Sequence, residues 1–411
     1  MYRSHNPSAP GMHNIGSSPS DSHVRVSYKD NPGFFKQVQE SFCASLFGIL
    51  LVIVSFPVLY WNEGRAVQTA LSLDEGLRQV VHIHYIDQVS PEYQDKLVHL
   101  SGSLQTERVL SDSDYGIAVK AVKLRRKVEM YQWVEHKHTR EYDEGGRKRV
   151  ETTFSYTTEW RDIIVRSDSF DNPAGHQNPN TMPVQSYTKE ADSVRVGVFS
   201  LSKGLIGKID AFQPLSPREV PQGKMMKIHN GMFYHFMDPF YPRVGDVRVQ
   251  FSYAGLSGKP GSGLGDPMKV SIVARQQGGR LSHYHTRSGD SLELLYPGEM
   301  SAEEIFEAEQ SANTALTWVL RGVGWVLMFL GFQMMTSIVV VLISWLPVVR
   351  ELVGLGLTLL CLCLATSLSL VTIAIGWIAH RPILGMTLLA AAAVPILLSR
   401  RRAQALNQRK H

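Results

Sequence analysis

Cysteine is scarce, and none of it is placed to cross-link a folded domain. Cys43, Cys361 and Cys363 are the only three, and each lies inside a long apolar run. The roughly 250 residues between the first and second of those runs hold none, so no disulfide framework supports them. That middle section also lacks an Asn-x-Ser/Thr acceptor: Asn172, Asn178, Asn180, Asn230 and Asn313 all fail the pattern. Both absences are unusual for a cell-surface ectodomain and fit residence in internal membranes. No cleavable signal peptide is expected, because polar sequence precedes the first run and no small-residue cleavage site surrounds Phe56-Pro57. Catalytic signatures are missing as well: there is no G-x-S-x-G elbow, H-E-x-x-H pair or P-loop.

Charge is absent from four stretches: Ser41 to Asn62, Gly322 to Val349, Leu352 to Ala379, and Pro382 to Ser399. A hydrocarbon core about 30 Å thick needs about 20 apolar residues in a helix, and each run is near or above that length. The sequence therefore predicts a multi-pass membrane protein with four transmembrane helices, one N-terminal and three C-terminal. The domains expected are a disordered tail over 1–30, a juxtamembrane turn and first span over 31–62, and an extramembrane domain over 63–313. Further spans are expected over 314–349, 352–379 and 382–399, followed by a basic tail over 400–411. That tail reads Arg400-Arg401-Arg402, then Arg409 and Lys410, with no acidic residue. Lys and Arg beside a span are retained on the cytoplasmic side. Both termini are thus expected in the cytosol or nucleoplasm, with 63–313 in the lumen. The net charge of +5 is mild and lies mostly in this tail, which argues against nucleic acid as a partner.

Between the first two spans the pattern predicts a β-rich α+β domain. Val67, Ala70, Leu71, Leu73, Leu77 and Val80 repeat at helical spacing, predicting a helix of about 15 residues that extends the first span or folds across the membrane surface. Alternation over Ala118–Val134 and Val150–Trp160 predicts a long hairpin, with a bulge near Lys127. Strands are expected at 97–102, 194–199, 247–253 and 270–275, a short helix at Ser202–Ile209, and two β-rich halves divided near residue 215. Ser301-Ala302-Glu303-Glu304 is a capping box that opens the helix entering the second span.

Three His-x-His pairs, His82/His84, His136/His138 and His283/His285, could each offer two imidazoles from one face of a strand. No cysteine or tight carboxylate cluster completes any of them, so surface histidines are the expectation. Catalytic, cofactor and metal residues are therefore all expected to be none. The glycines of Gly255–Gly265 lack the strand-to-helix context and lysine of a phosphate cradle and read as a loop. Arg321, at the border of the second span, is expected to reach headgroups by snorkelling. No buried acid or base of the kind a pump requires is evident in the spans.

Several collinear stretches resemble the transmembrane protein 43 (LUMA) family. They are Asn62-Glu63-Gly64-Arg65-Ala66, Leu110-Ser111-Asp112 with Tyr115-Gly116, Val122–Arg126, Val128–Glu135 and Thr158–Arg161. Val244-Gly245-Asp246, Phe251–Gly258, Ser301–Glu304, Ala365–Leu368 and Gly376-Trp377 continue the likeness. The resemblance covers about residues 30 to 400 and excludes the His-x-His pairs. It implies residence in the inner nuclear membrane and endoplasmic reticulum, self-association, and association with emerin and nuclear lamins. It brings no catalytic residue and no cofactor. The function expected is a non-enzymatic envelope scaffold in contact with membrane lipids. The rival expectations are a lumenal lipid-handling module or enzyme, and a channel-regulating subunit.

Overall fold

A computed structural model describes residues 22–30, 33–144, 147–236, 238–258, 264–343 and 347–380. Three long helices organise it. Helix α1 runs unbroken over Phe34–Gln79, 46 residues, or roughly 69 Å at 1.5 Å per residue. Pro57 lies inside it and removes one backbone donor, a loss that neighbouring helices in a membrane can absorb. The juxtamembrane turn, the span and the extension are therefore one rod. Helix α2 covers Ala302–Leu342. Its capping box forms as read: Ser301 Oγ accepts the Glu304 amide at 3.2 Å, and Glu304 Oε2 accepts the Ser301 amide at 2.7 Å. Helix α3 covers Pro347–His380, with proline at the first position, where its missing N–H costs nothing.

Among the described residues, three helices are long and apolar enough to cross a membrane: Phe34–Gln79, Ala302–Leu342 and Arg350–His380. The expected fourth span at 382–399 and the basic tail lie outside the described residues. Helices α1 and α2 pack closely. A Cβ on Gly48 would lie 2.5 Å from the Gly331 carbonyl, and one on Gly331 would lie 2.7 Å from the Gly48 carbonyl. Ser45 Oγ donates to the Met334 and Met335 carbonyls at 3.2 and 3.3 Å at the same level.

The remaining described residues build two main sheets of eight and seven strands. The strands used below are β1 (Ser22–Asp30), β2 (Val81–His82), β3 (Leu97–Thr106), β4 (Ala121–Glu144), β5 (Arg147–Arg161), β6 (Val247–Leu256) and β7 (Lys269–Gln277). In the first sheet β1 pairs β5, β5 pairs β4 and β4 pairs β6, all antiparallel. In the second, β3 lies between β7 and the two-residue β2. One core joins the sheets, with Val122 and Ala254 from the first packed among Val98, Leu100, Phe199 and Ile272. Another seats the second sheet on the helices: Leu73 of α1 and Ile305 and Phe306 of α2 meet Leu97, Val273 and Leu294. Gly76 permits that approach, since a Cβ there would sit 2.8 Å from the Phe306 ring.

Three expectations change. Residues 22–30, read as disordered tail, form β1; its His23 stacks on Phe154 at 5.1 Å and, with Arg25, bonds Asp171. Residues 1–21 lie outside the described residues. The bulge near Lys127 is absent on the β6 side, where the register runs unbroken from Val247↔Met130 to Ala254↔Lys123. Arg126, which alternates in line with Leu124 and Val128, is buried with them. The halves do not divide near residue 215, because each sheet draws strands from both sides of it. The helix read over Val67–Val80 takes the first of its two forms, extending the first span as the upper part of α1.

Candidate functional site at the membrane border

Two ionisable residues meet where the apolar runs end. Glu63 is the first charged residue after the first run, and Arg321 the last before the second. Because α1 and α2 are antiparallel neighbours, the two stand at one depth. Arg321 Nε and an Nη donate to the two Glu63 carboxylate oxygens at 2.7 and 2.8 Å, and Trp377 Nε1 of α3 donates to the same carboxylate at 2.8 Å. The Glu63 side chain is 2% exposed and that of Arg321 13%. Planar aromatics flank the guanidinium, with the Trp318 and Trp377 ring centres 4.7 and 5.9 Å away. Gly376 lets α3 come close, since a Cβ there would stand 2.9 Å from Glu63 Cβ. Two-pronged pairing of this kind suits arginine geometry and is strong where water is excluded.

One turn further, a second polar group ties α1 to α2. Arg65 donates to Asn313 Oδ1 at 2.9 Å, Thr317 Oγ1 at 2.9 Å and Asn62 Oδ1 at 3.3 Å. Asn62 Nδ2 donates to the Thr317 carbonyl, and Asn313 Nδ2 to the Ala66 carbonyl. The snorkelling expected of Arg321 is thus corrected: its charge turns inward because a carboxylate waits there. The buried acid that the sequence did not show is Glu63. Its charge is matched and its oxygens accept three N–H groups, an arrangement that locks helices together rather than passing protons along a relay.

The histidine pairs separate. His82 does not join His84 in a ligand set but meets His99 of β3, Nδ1 to Nδ1 at 2.6 Å. His99 Nε2 lies 2.9 Å from the Met300 carbonyl, so it carries the hydrogen there. A neutral His99 then accepts at Nδ1, and His82 donates. Burial, then the neighbouring His84, holds the His82 imidazole below its usual range; burial, then His82, does the same for His99. His136 bonds Thr157 and Glu159, His138 accepts from Arg140, and His285 bonds Ser291. Among the described residues no group of three or more His, Cys, Asp or Glu side chains is arranged to hold a metal ion.

Sequence reasoning also missed a buried polar cluster on the same face of the first sheet as Leu124 and Val128. Arg126 Nη1 donates to Asp112 Oδ2 at 2.8 Å, and the Tyr187 hydroxyl donates to that same oxygen at 2.6 Å. Beside it Tyr115 Oη lies 2.8 Å from His235 Nε2. Burial pushes the Tyr115 phenol up to about 12 and depresses His235. Burial and the Asp112 carboxylate raise Tyr187. These directions keep both phenols protonated and the imidazole neutral near neutral pH. The only sequence signal was an arginine at an inward position of β4.

The family model described as Transmembrane protein 43 matches residues 130–382. Transmembrane protein 43 of Mus musculus is 46% identical over 384 residues, 93% of this chain and 96% of that protein. The Homo sapiens protein of the same name is 45% identical over 384 residues, with the same shares covered. The Drosophila melanogaster homologue is 37% identical over 356 residues, 85% of this chain and 92% of that protein. No solved structure matches. None of these names carries an enzymatic activity.

Proposed function

The chain belongs to the transmembrane protein 43 family, and from that premise we propose that it is a membrane scaffold of the nuclear envelope and endoplasmic reticulum. It self-associates, and it organises inner nuclear membrane complexes that include emerin and nuclear lamins. The observation that supports this reading best is the polar knot. Two of the stretches by which the chain resembles the family, Asn62–Ala66 and Gly376-Trp377, converge there. Each polar group is used to bind one helix to another. A rod fixed in this way carries the orientation of the β-domain into the membrane through the shared core at Leu73, Ile305 and Phe306. Proximity labelling from the N-terminus in intact cells tests the reading: recovery of lamina components is expected, and recovery of secretory cargo alone overturns it.

In this proposal the termini face cytosol or nucleoplasm and the β-domain the lumen, as the arginine tail supports. One observation opposes it. Strand β1 precedes α1, yet pairs along its length with β5, which follows. The ribbon of β4 and β5 from Tyr131 to Glu144 spans roughly 45 Å at about 3.3 Å a residue. That is close to the roughly 42 Å of helix from Phe34 to Asn62. Its outer part, with Lys137, Arg140, Glu141, Arg149 and Glu151, is too polar for lipid. A bilayer between β1 and the ribbon would break their pairing. Val26 faces Glu151 in the register, so Val26→Cys with Glu151→Cys, in a chain otherwise free of cysteine, decides the matter in sealed microsomes. The register of β1 on β5 predicts a cross-link, whereas the lumenal placement requires none and a protease-protected ribbon. A cross-link overturns the lumenal placement.

A further inference from the structure

Among the described residues, the buried Arg65 Nε and His380 Nε2 are without a hydrogen-bond partner, and both residues line one cleft. This cleft has a volume of about 690 Å³ and lies on the Tyr60, Gly64 and Gln68 side of α1, closed at one end by His380 of α3. The His380 ring packs on Gly64, where a Cβ would stand 2.9 Å from Nε2. It also rests beside the Tyr60 ring at 5.2 Å. Three Arg65 donor contacts go to Asn62, Asn313 and Thr317, which fixes the guanidinium and leaves Nε–H without a partner.

Directly below, toward the middle of the span, a second hollow of about 370 Å³ opens between α1 and α3. Its walls are Phe56, Pro57 and Tyr60 on one side and Leu368, Val371 and Ile375 on the other. Tyr60 belongs to both spaces. The pair is thus a polar chamber at the membrane border standing on an apolar slot at hydrocarbon depth. Trp61 and Trp318, 60% and 65% exposed, mark the border as aromatic residues do at headgroup level.

We propose that this composite cleft holds one anionic glycerophospholipid from the leaflet on the β-domain's side. The Arg65 guanidinium at the chamber wall meets its headgroup phosphate, His380 closes the chamber by packing on Gly64, and an acyl chain fills the slot between Pro57 and Val371. Charge and depth together favour a lipid over a soluble anion. The hydrogen-bond partners of Arg65 are all neutral, so its charge favours a net-negative headgroup over a zwitterionic one, whereas the apolar slot beneath offers a free phosphate nothing. The inference stands on these two cavities and is independent of the scaffold reading.

The test is native mass spectrometry of the full chain in detergent, titrated separately with phosphatidylserine and phosphatidylcholine. One phosphatidylserine should be retained at about tenfold lower concentration than phosphatidylcholine, a difference of about 1.4 kcal/mol. Two variants avoid the helix-locking contacts. Ser288→Glu places negative charge at the chamber wall, and Val371→Trp fills the slot; each should weaken phosphatidylserine retention by about tenfold. Ser288→Lys should strengthen it. Equal retention of the two lipids, unchanged retention in Ser288→Glu and Val371→Trp, or displacement by millimolar inorganic phosphate overturns the proposal.

Discussion

Breaking the Glu63–Arg321 pair from one side should open the helix bundle, and removing it from both sides should not. The Glu63 side chain is 2% exposed and that of Arg321 13%, so water cannot solvate whichever partner remains. Truncating one member of such a pair costs about 3–5 kcal/mol, while replacing both with apolar groups of similar size ranges from neutral to stabilising. In Glu63→Gln, Arg321 keeps its charge between Trp318 and Trp377 with no carboxylate. In Arg321→Gln, Glu63 keeps only the Trp377 donor. The double change Glu63→Leu, Arg321→Met still strands that indole N–H, which adds about 1–3 kcal/mol. The singles should therefore sum to about 6–10 kcal/mol and the double cost about 3 kcal/mol or less, leaving a coupling of at least about 3 kcal/mol. Cys361 reports the opening, because it is fully buried while Cys43 and Cys363 are exposed. With Cys43 and Cys363 changed to serine, maleimide labelling of Cys361 in bicelles should accelerate about 100-fold or more in each single variant, at 1.4 kcal/mol per tenfold. It should return to within about 100-fold of the parent in the double. Singles that label within threefold of the parent, with a double equal to their product, would refute the reasoning.

Other consequences are measurable on the same protein. His99 is 1% exposed and its imidazole is held below the ordinary 6.5 by burial. Above pH 6.5 neither state binds the proton; below it the unfolded chain does and the folded chain does not. Stability should hold at neutral pH and fall as the pH drops from 6.5 through the lowered folded value, by up to about 1.4 kcal/mol per pH unit per proton. Thermal melts of His99→Gln should show a shallower pH dependence; an unchanged slope counts against this assignment. Asp112→Asn leaves Arg126, 8% exposed, without its buried counter-charge and should cost about 3–5 kcal/mol in denaturant titration. Asp112→Leu combined with Arg126→Met should restore most of that loss. Gly331→Val drives a side chain into the Gly48 carbonyl and Val52, and should cost about 1–3 kcal/mol as overpacking, seen as faster Cys361 labelling.

What the sequence showed and what it hid follow from the range of the forces concerned. Helices α1, α2 and α3 were legible because length and lack of charge are properties of a continuous stretch, and the Ser301 capping box because its partners stand three residues apart. The long ribbon was legible through alternation, and its aromatic register, Tyr131 opposite Trp160, fits that reading. By contrast, β1 draws its stability from Asp171 and Phe154, more than a hundred residues away, so a polar stretch with two valines read as tail. The burial of Arg126 was hidden because its partner Asp112 belongs to a separate short strand. His82 was matched with His84 by spacing, whereas its partner His99 comes from the strand laid parallel beside it.

The central pair occupies the ground between these cases. Glu63 ends one apolar run and Arg321 begins the next. Consecutive spans joined by a folded domain must run antiparallel, which brings the last residue of one to the depth of the first residue of the other. Opposite charges at those two positions are therefore a readable signal once the spans are taken together, although each residue alone reads as an ordinary border charge. The same reasoning extends to Arg65 and Asn313, which follow Glu63 and precede Arg321 and bond at 2.9 Å. It did not extend to Trp377, whose place beside Glu63 depends on how α3 folds back against the first two helices. Depth along the membrane normal can be counted from sequence, but the azimuth around it is set by packing.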